Sequence, residues 1–482
     1  MKKYNHLTYL LFSMLIFVCT VEPSFAQSLC FSSPNLHFAG AGNGIAGAVT
    51  DDFNNDGLID LVTSNGTGNN ISIMLGDGNG NFNFPVNYAT GTVSSGMNKG
   101  DFNNDGELDL VVTNQGGGNI SVLLGNGDGT FNSAVNIPLS CGTPSIVVCH
   151  DFDNDGILDV VVGCTSGDLI ILKGDGTGNF SVLNTYYSGS SLMASIELAD
   201  FNNDGILDIA VPGGLVYGII FLPGLGGGNF AAPILVPCNE RPFYLISSDL
   251  NNDMLPDIIV ASISDTTITV YINTGNFSLA PPVYYGNIPS IWRTSFVALA
   301  DFDNDNIDDI LVGYGTTNGF SVLPGLANGS FSNAQHFWGA SQSVLAIAVD
   351  LNQDNKIDVI DFSKGSPSYY VMFNCTPTSV AEVPKQNAEV KIYPTIVSDF
   401  VNIDISNINL LSSHTEISIY DQGGKLVWTY SNIKLQQIND DSYSIRLNWP
   451  SLPAGNYYIN IITALIKEKE RRYVLTGKVI VI

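Results

Sequence analysis

Apolar residues along this chain come in short runs rich in β-branched and small side chains, separated by polar stretches of Gly, Asp, Asn and Ser. The three-to-four-residue spacing of an amphipathic helix does not occur, so the runs predict strands and the polar stretches predict turns. Their order repeats. Ser145–Cys149 leads into an acidic stretch and then Val160–Val162, a polar loop follows, and Leu169–Leu172 precedes the glycine-rich Gly174–Gly178 and an aromatic, Phe180. Ile71–Leu75 with Phe82, and Ile120–Leu124 with Phe131, belong to the same succession of pieces. Each unit reads as four short strands joined by turns.

The acidic stretch occurs seven times. Asp52-Phe53-Asn54-Asn55-Asp56-Gly57-Leu58-Ile59-Asp60 is the first, and the others start at Asp101, Asp151, Asp200, Asp249, Asp301 and Asp350, in steps of 49, 50, 49, 49, 52 and 49 residues. So regular a period of four-stranded units predicts an all-β, seven-bladed β-propeller, in which radial closure removes long exposed edges. The last unit has strands near Ser343–Val349, Asp358–Asp361 and Tyr369–Phe373 but no fourth. Phe31–Pro34 aligns with Phe131–Ala134, so the N-terminal segment is expected to supply the missing strand. Cys375 follows the third strand of that unit and Cys30 precedes the borrowed fourth. A Cys30–Cys375 disulfide would then staple the ring shut where other units have a glycine turn.

Charge gives the acidic stretch its chemistry. The chain has 482 residues, 45 of them Asp or Glu against 18 Lys or Arg, for a net charge of −27, and 49 glycines. Such a field repels nucleic acid and anionic lipid and calls for a cation. Oxygen ligands recur at position 1 (Asp52, Asp101, Asp151, Asp200, Asp249, Asp301, Asp350) and position 3 (Asn54, Asn103, Asp153, Asn202, Asn251, Asp303, Asn352). They recur again at position 5 (Asp56, Asp105, Asp155, Asp204, Asp253, Asp305, Asp354) and position 9 (Asp60, Asp109, Asp159, Asp208, Asp257, Asp309, Asp358). A main-chain carbonyl at position 7 (Leu58, Glu107, Ile157, Ile206, Leu255, Ile307, Lys356) completes a large oxygen set, which suits Ca²⁺ better than Mg²⁺. Glycine at position 6 supplies the left-handed turn. The loop resembles the first half of an EF-hand, without its bidentate Glu at position 12 or its flanking helices. Up to seven Ca²⁺ are expected, with the fifth loop weakest, because Met254 replaces the glycine and Pro256 follows at position 8. Asn306 and Asn355 at position 6 of the last two loops tolerate the turn.

The run from Asp200 to Val211 and its six relatives resemble the FG-GAP/VCBS repeats of integrin α-subunit propellers and bacterial surface proteins. That resemblance covers residues 31 to 375 and implies a propeller with calcium in hairpin loops on one face, used for adhesion or ligand binding. From residue 383 the acidic loops stop and charge nearly balances, with 10 bases against 9 acids, whereas residues 27 to 382 carry 6 against 35. Alternating runs at Val401–Ile405, Glu416–Tyr420 and Tyr457–Ile461 predict a small Ig-like β-sandwich. Ile392–Pro394, Ile417–Val427 and Leu452–Tyr458 resemble the C-terminal sorting domain of the Bacteroidetes type IX secretion system, although Thr395-Ile396 stand where that family has Asn-Pro. The resemblance implies recognition by the type IX translocon. Residues 1–26 read as a signal peptide, with Lys2 and Lys3 before an apolar run and Ser24-Phe25-Ala26 as the cleavage site. The expected organisation is a propeller over 27–376, a linker over 377–387, and the sorting domain over 388–482, in a protein exported to the cell surface.

No catalytic constellation appears. His37, His150, His336 and His414 are isolated, there is no G-x-S-x-G elbow, H-E-x-x-H or nucleotide loop, and the carboxylate pairs belong to the acidic stretches. An enzyme is therefore not expected. Antiparallel order puts the acidic loops and glycine turns on one face, and Arg241, Phe243, Trp292, Arg293 and Trp338 on the other. Aromatics in shallow polar loops suit a protein hot spot or sugar stacking. An adhesion module, a lectin-like or polysaccharide-accessory protein, and a purely architectural surface protein all remain open on the sequence.

Overall fold

The computed structural model describes residues 29–376, apart from 41–43, 191–192, 239–240, 263–266, 287–293, 316–317, 327 and 364, together with backbone strands between 389 and 481. The signal segment, the linker, Trp292 and Arg293 lie outside the described residues. The chain divides into compact units between Thr376 and Pro377.

Blade three shows the plan of the first unit. Pro144–His150, Asp159–Cys164, Asp168–Gly174 and Phe180–Tyr187 pair in chain order, all antiparallel. The second and third strands are buried on both faces and read as near-continuous Val, Ile and Leu, while the fourth forms the exposed rim. Five four-stranded sheets of this unit are built from consecutive strands, and in blade four a two-stranded hairpin, Gly224–Gly226 with Asn229–Phe230, stands between the third strand and the fourth. The seventh joins Ser343–Val349, Asp358–Ser363 and Ser368–Met372 to Asn35–Phe38, with Asn35 opposite Val371 and Phe38 opposite Ser368. Phe31 bridges Asn374 just before, as Phe131 bridges Gly125 in blade two. The ring thus closes in the expected register, with the borrowed strand immediately after the aligned Phe31–Pro34 segment.

Aromatic rings seal neighbouring blades. The position-2 phenylalanine of one acidic loop meets the turn aromatic of the next blade edge to face: Phe53 with Phe131, Phe102 with Phe180 and Phe152 with Phe230, at centroid distances of 5.9, 5.4 and 6.0 Å. Phe31 does the same for Phe302 at 5.8 Å, so the N-terminal segment brings its own wedge to the last joint. A backbone tie accompanies the rings. The N–H of Gly129, Gly178 and Gly228 donates to the carbonyl of Phe53, Phe102 and Phe152 in the preceding blade. Blades five and seven make the same tie through side chains, Asn273 Nδ2 to Phe201 O at 2.9 Å and Asn374 Nδ2 to Phe302 O at 2.7 Å.

The Cys30–Cys375 disulfide is present, with Cα atoms 4.9 Å apart, and Cys375 N–H donates to Cys30 O across the same gap. A second disulfide, Cys141–Cys164, has Cα atoms 6.3 Å apart and ties the entry of blade three to the end of its second strand. Its partners sit side by side at the open end of one hairpin, but no other blade has cysteines at these places, so period alone gave no reason to pair them.

The C-terminal unit holds two four-stranded antiparallel sheets, the pair expected of a small β-sandwich. One is ordered Glu389–Tyr393, Phe400–Ser406, Ser442–Asn448, Gln436–Asn439, and the other Leu426–Ile433, His414–Asp421, Gly455–Ala464, Arg472–Val481. Among the described residues no helix is long and apolar enough to cross a membrane.

Candidate metal centre

Each acidic stretch links the first and second strands of its blade, and its backbone curls because its own carboxylates capture its amides. In the first loop the two oxygens of Asp52 accept from Asp56 N at 3.1 Å and Gly57 N at 2.7 Å, and Asp56 Oδ1 accepts from Leu58 N at 2.8 Å. The same three bonds recur in all seven loops, with position 1 serving the amides of positions 5 and 6, and position 5 serving that of position 7. These concentric Asx turns aim the position 1 and 5 carboxylates inward and leave the loop exposed to solvent.

Two residues per loop take the left-handed conformation. Position 6 does so as expected, through Gly57 at φ 83° and, where glycine is missing, Met254 at 70°, Asn306 at 65° and Asn355 at 61°. Met254 is 87% exposed, so no packing offsets its strain. Replacing it, M254G, should raise stability by about 1 kcal/mol net of the glycine's chain entropy. A denaturant midpoint measured without divalent ions checks this, and an unchanged or lower midpoint would count against it. Position 4 is also left-handed, at Asn55, Asn104, Asn154, Asn203, Asn252, Asn304 and Gln353, and sequence reasoning missed it. Its near-constant Asn was the available signal. These amides also tie neighbouring loops: Asn55 Nδ2 reaches Glu107 at 2.6 Å, and Gln353 Nε2 reaches Gly57 O at 2.8 Å across the ring closure.

Position 9 is the buried end of the site. Asp60 accepts from Phe53 N at 3.0 Å through one oxygen and from Gly76 N at 2.8 Å through the other, clasping loop, strand and glycine turn. All seven loops share the clasp. Burial, with smaller contributions from the position 1 and 5 acids, pushes Asp60, Asp109, Asp208, Asp257 and Asp358 up to about 6, and burial, with smaller contributions from Asp303 and Asp301, pushes Asp309 to about 8. Asp159 rises as well, again through burial. Two backbone donors do not offset the cost of the charge, and a cation among positions 1, 3, 5 and 9 would.

The donor set fits such an ion. Carboxylate oxygens of Asp151, Asp153 and Asp159 lie within 4.8 Å of one another, and so do those of Asp301, Asp303 and Asp309. In the first, second, fifth and seventh loops the position-3 Asn oxygen accepts from the position-5 amide, as Asn54 does at 2.9 Å. In the fourth, Asn202 Oδ1 is buried with no hydrogen-bond partner, an oxygen donor that a hard cation would satisfy. Blade three differs. Lys173, at the end of its third strand, forms salt bridges with both Asp153 and Asp155, the second at 2.8 Å.

On the opposite face, Arg241 and Phe243 stand at the start of the inner strand of blade five. Trp338 lies not in a loop but within the rim strand Gln335–Ser341, 76% exposed, at the place where Ala89, Pro138, Tyr187 and Pro237 end the rim strands of blades one to four. Leu215, Val216 and Tyr217, which the sequence did not single out, project from the loop between the second and third strands of blade four. A run of three apolar residues inside a Gly-Gly…Gly turn was the readable sign.

A seven-bladed propeller with one acidic hairpin loop per blade is the class these features define. The FG-GAP-like repeat family matches at residues 52–112, 101–162, 151–211 and 249–312, and the secretion system C-terminal sorting domain matches at 391–475. The propeller therefore carries FG-GAP-like repeats and the C-terminal unit a type IX secretion sorting domain, which indicates secretion and attachment at the cell surface. The seventh loop, at Asp350, lies beyond the repeat matches but has the same geometry. No curated protein sequence matches the chain. Among solved structures, BBS1N in complex with ARL6DN, soaked with lead, is similar at a TM-score of 0.51 and 11% identity, over 72% of this chain and 97% of that one. The extracellular domains of two putative hybrid two-component systems of B. thetaiotaomicron, BT4673 and BT3049, align at TM-scores of 0.48 and 0.46 and 12% identity each. They align over 94% and 93% of this chain but only 59% and 58% of theirs.

Proposed function

We propose that the protein is a calcium-stabilised, non-catalytic ligand-binding and adhesion module of the cell surface. The calcium loops rigidify one face and the ligand docks on the other. The observation that carries the docking face is Leu215, Val216 and Tyr217, which are 55%, 38% and 55% exposed on one loop beside Arg241. Gly214 N–H donates to Pro242 O at 3.1 Å, fixing that loop against blade five next to Arg241, whose Nε is buried without a hydrogen-bond partner. An apolar and aromatic surface beside an underused guanidinium is the make-up of a protein hot spot. The exposed ring of Tyr217 also favours a carbohydrate, which would stack on it.

Wild type and the Y217A/R241A double variant, each with and without calcium, should be tested on a printed glycan array and on immobilised surface proteins. Binding on either panel that the double variant loses supports the reading, and the panel identifies the ligand class. Binding that the variant retains would move the ligand elsewhere. Silence on both panels would leave an architectural protein.

A further inference from the structure

The seven loops are built alike, yet blade three has a feature that no other described loop shares. The residue that ends the third strand, just before the glycine turn, is Leu75 in blade one, Leu124 in blade two, Pro223 in blade four, Ile272 in blade five, Pro324 in blade six and Phe373 in blade seven. In blade three it is Lys173, and its ammonium forms salt bridges with Asp153 at position 3 and Asp155 at position 5 of the same loop. Those carboxylates are two of the oxygens that would hold a divalent ion.

The packing around Lys173 shows that this is a built arrangement. In blades one and two the equivalent leucine lies under the glycine turn of the next blade. A Cβ on Gly129 would sit 2.8 Å from Leu75 Cδ2, and one on Gly178 would sit 2.7 Å from Leu124 Cδ2. With Lys173 turned into its loop, that support is missing for blade four. Leu183, from the rim strand of blade three, takes its place, lying 2.6 Å from where a Cβ on Gly228 would be. The corresponding rim residue of blade two is the small Ala134. Leucine and alanine have become lysine and leucine, so apolar support under the next turn is kept while the freed side chain carries a charge to the loop.

Blade six is the internal comparison. It has the same extra acid at position 3, and Asp301, Asp303 and Asp309 cluster as tightly as Asp151, Asp153 and Asp159. Its third strand, however, ends in Pro324, which supplies no charge.

We propose that Lys173 is a tethered counter-ion that stands in for calcium in blade three, so that this blade is held shut without a divalent ion while blade six, with the same acids and no lysine, needs one. This rests on the reading of the loops as calcium sites. An ammonium offers three donors and one charge at a fixed place, enough to neutralise the added acid but not to fill a set of six to eight oxygens. Blade three would therefore keep its fold through changes in calcium that loosen its neighbours.

Native mass spectrometry of wild type, K173M and K173R across a calcium titration tests it, with thermal melting read in parallel. K173M should bind one more calcium ion per chain than wild type and show a larger melting shift on calcium addition, whereas K173R, keeping the charge, should behave as wild type. A K173M protein that folds only when calcium is present supports the proposal as well. Equal ion counts and equal shifts in wild type and K173M would overturn it, as would a K173M protein that stays unfolded in saturating calcium. Failure of the calcium reading itself looks different, because then none of the three proteins binds calcium at any loop.

Discussion

Stripping calcium from the protein should lower its melting temperature by on the order of 10 °C, through the loops of one face. Exported calcium modules of this ligand type hold the ion with Kd on the order of 10⁻⁴ to 10⁻³ M. At about 10 mM calcium each occupied site then adds roughly 1.4 to 2.7 kcal/mol by mass action. Several such sites act on one cooperative ring, since the position-9 carboxylates clasp loop to strand and the position-4 amides join Asn55 to Glu107 and Gln353 to Gly57. The cost of the charge falls on the same residues, for burial raises Asp60 to about 6 and Asp309 to about 8. A melting scan in calcium against one in chelator reads the effect. Magnesium at equal concentration should restore only a small part, because it resists giving up its water for a mixed carboxylate and carbonyl set.

The second large effect belongs to ring closure. Cys30 and Cys375 are 345 residues apart in sequence, and the chain-entropy relation assigns a loop of that length about 5 to 6 kcal/mol. That is a large share of the stability of an ordinary domain. Cys141 and Cys164 are 23 residues apart, for which the same relation gives about 3 kcal/mol. The double variant C30S/C375S should therefore lose more than C141S/C164S, with a melting temperature lower than wild type by on the order of 10 °C. Removing the staple also loosens the strand Asn35–Phe38 and the Phe31 ring, which seats against Phe302, Phe320 and Phe337 at 5.8, 5.4 and 4.8 Å. A C141S/C164S variant that proves the less stable of the two would show that closure does not dominate.

Most of the architecture was legible because it repeats. A period near 49 residues, one acidic stretch per period and a missing last strand leave little freedom, and the strand register and the Cys30–Cys375 pair followed from counting. Met254 was read as a left-handed residue from its place alone and has φ of 70°. What the repeat hid was whatever departs from it or crosses it. Lys173 looked like an ordinary strand end, because its meaning depends on a side-chain direction that sequence spacing does not carry. Trp338 was assigned to a loop although its place in the period is where Ala89 and Pro138 end their rim strands. Cys141–Cys164 joins two places with no counterpart in other blades, and Leu215–Tyr217 became visible as a surface only once the strands put that loop beside Arg241.

The most direct test is anomalous scattering from crystals grown in calcium. Peaks are predicted among the carboxylates of positions 1, 3, 5 and 9 in the loops of blades one, two, four, six and seven, weaker in blade five, and absent from blade three while Lys173 is in place. A map with the ring intact, calcium abundant and no peak in any of these loops would contradict the calcium assignment.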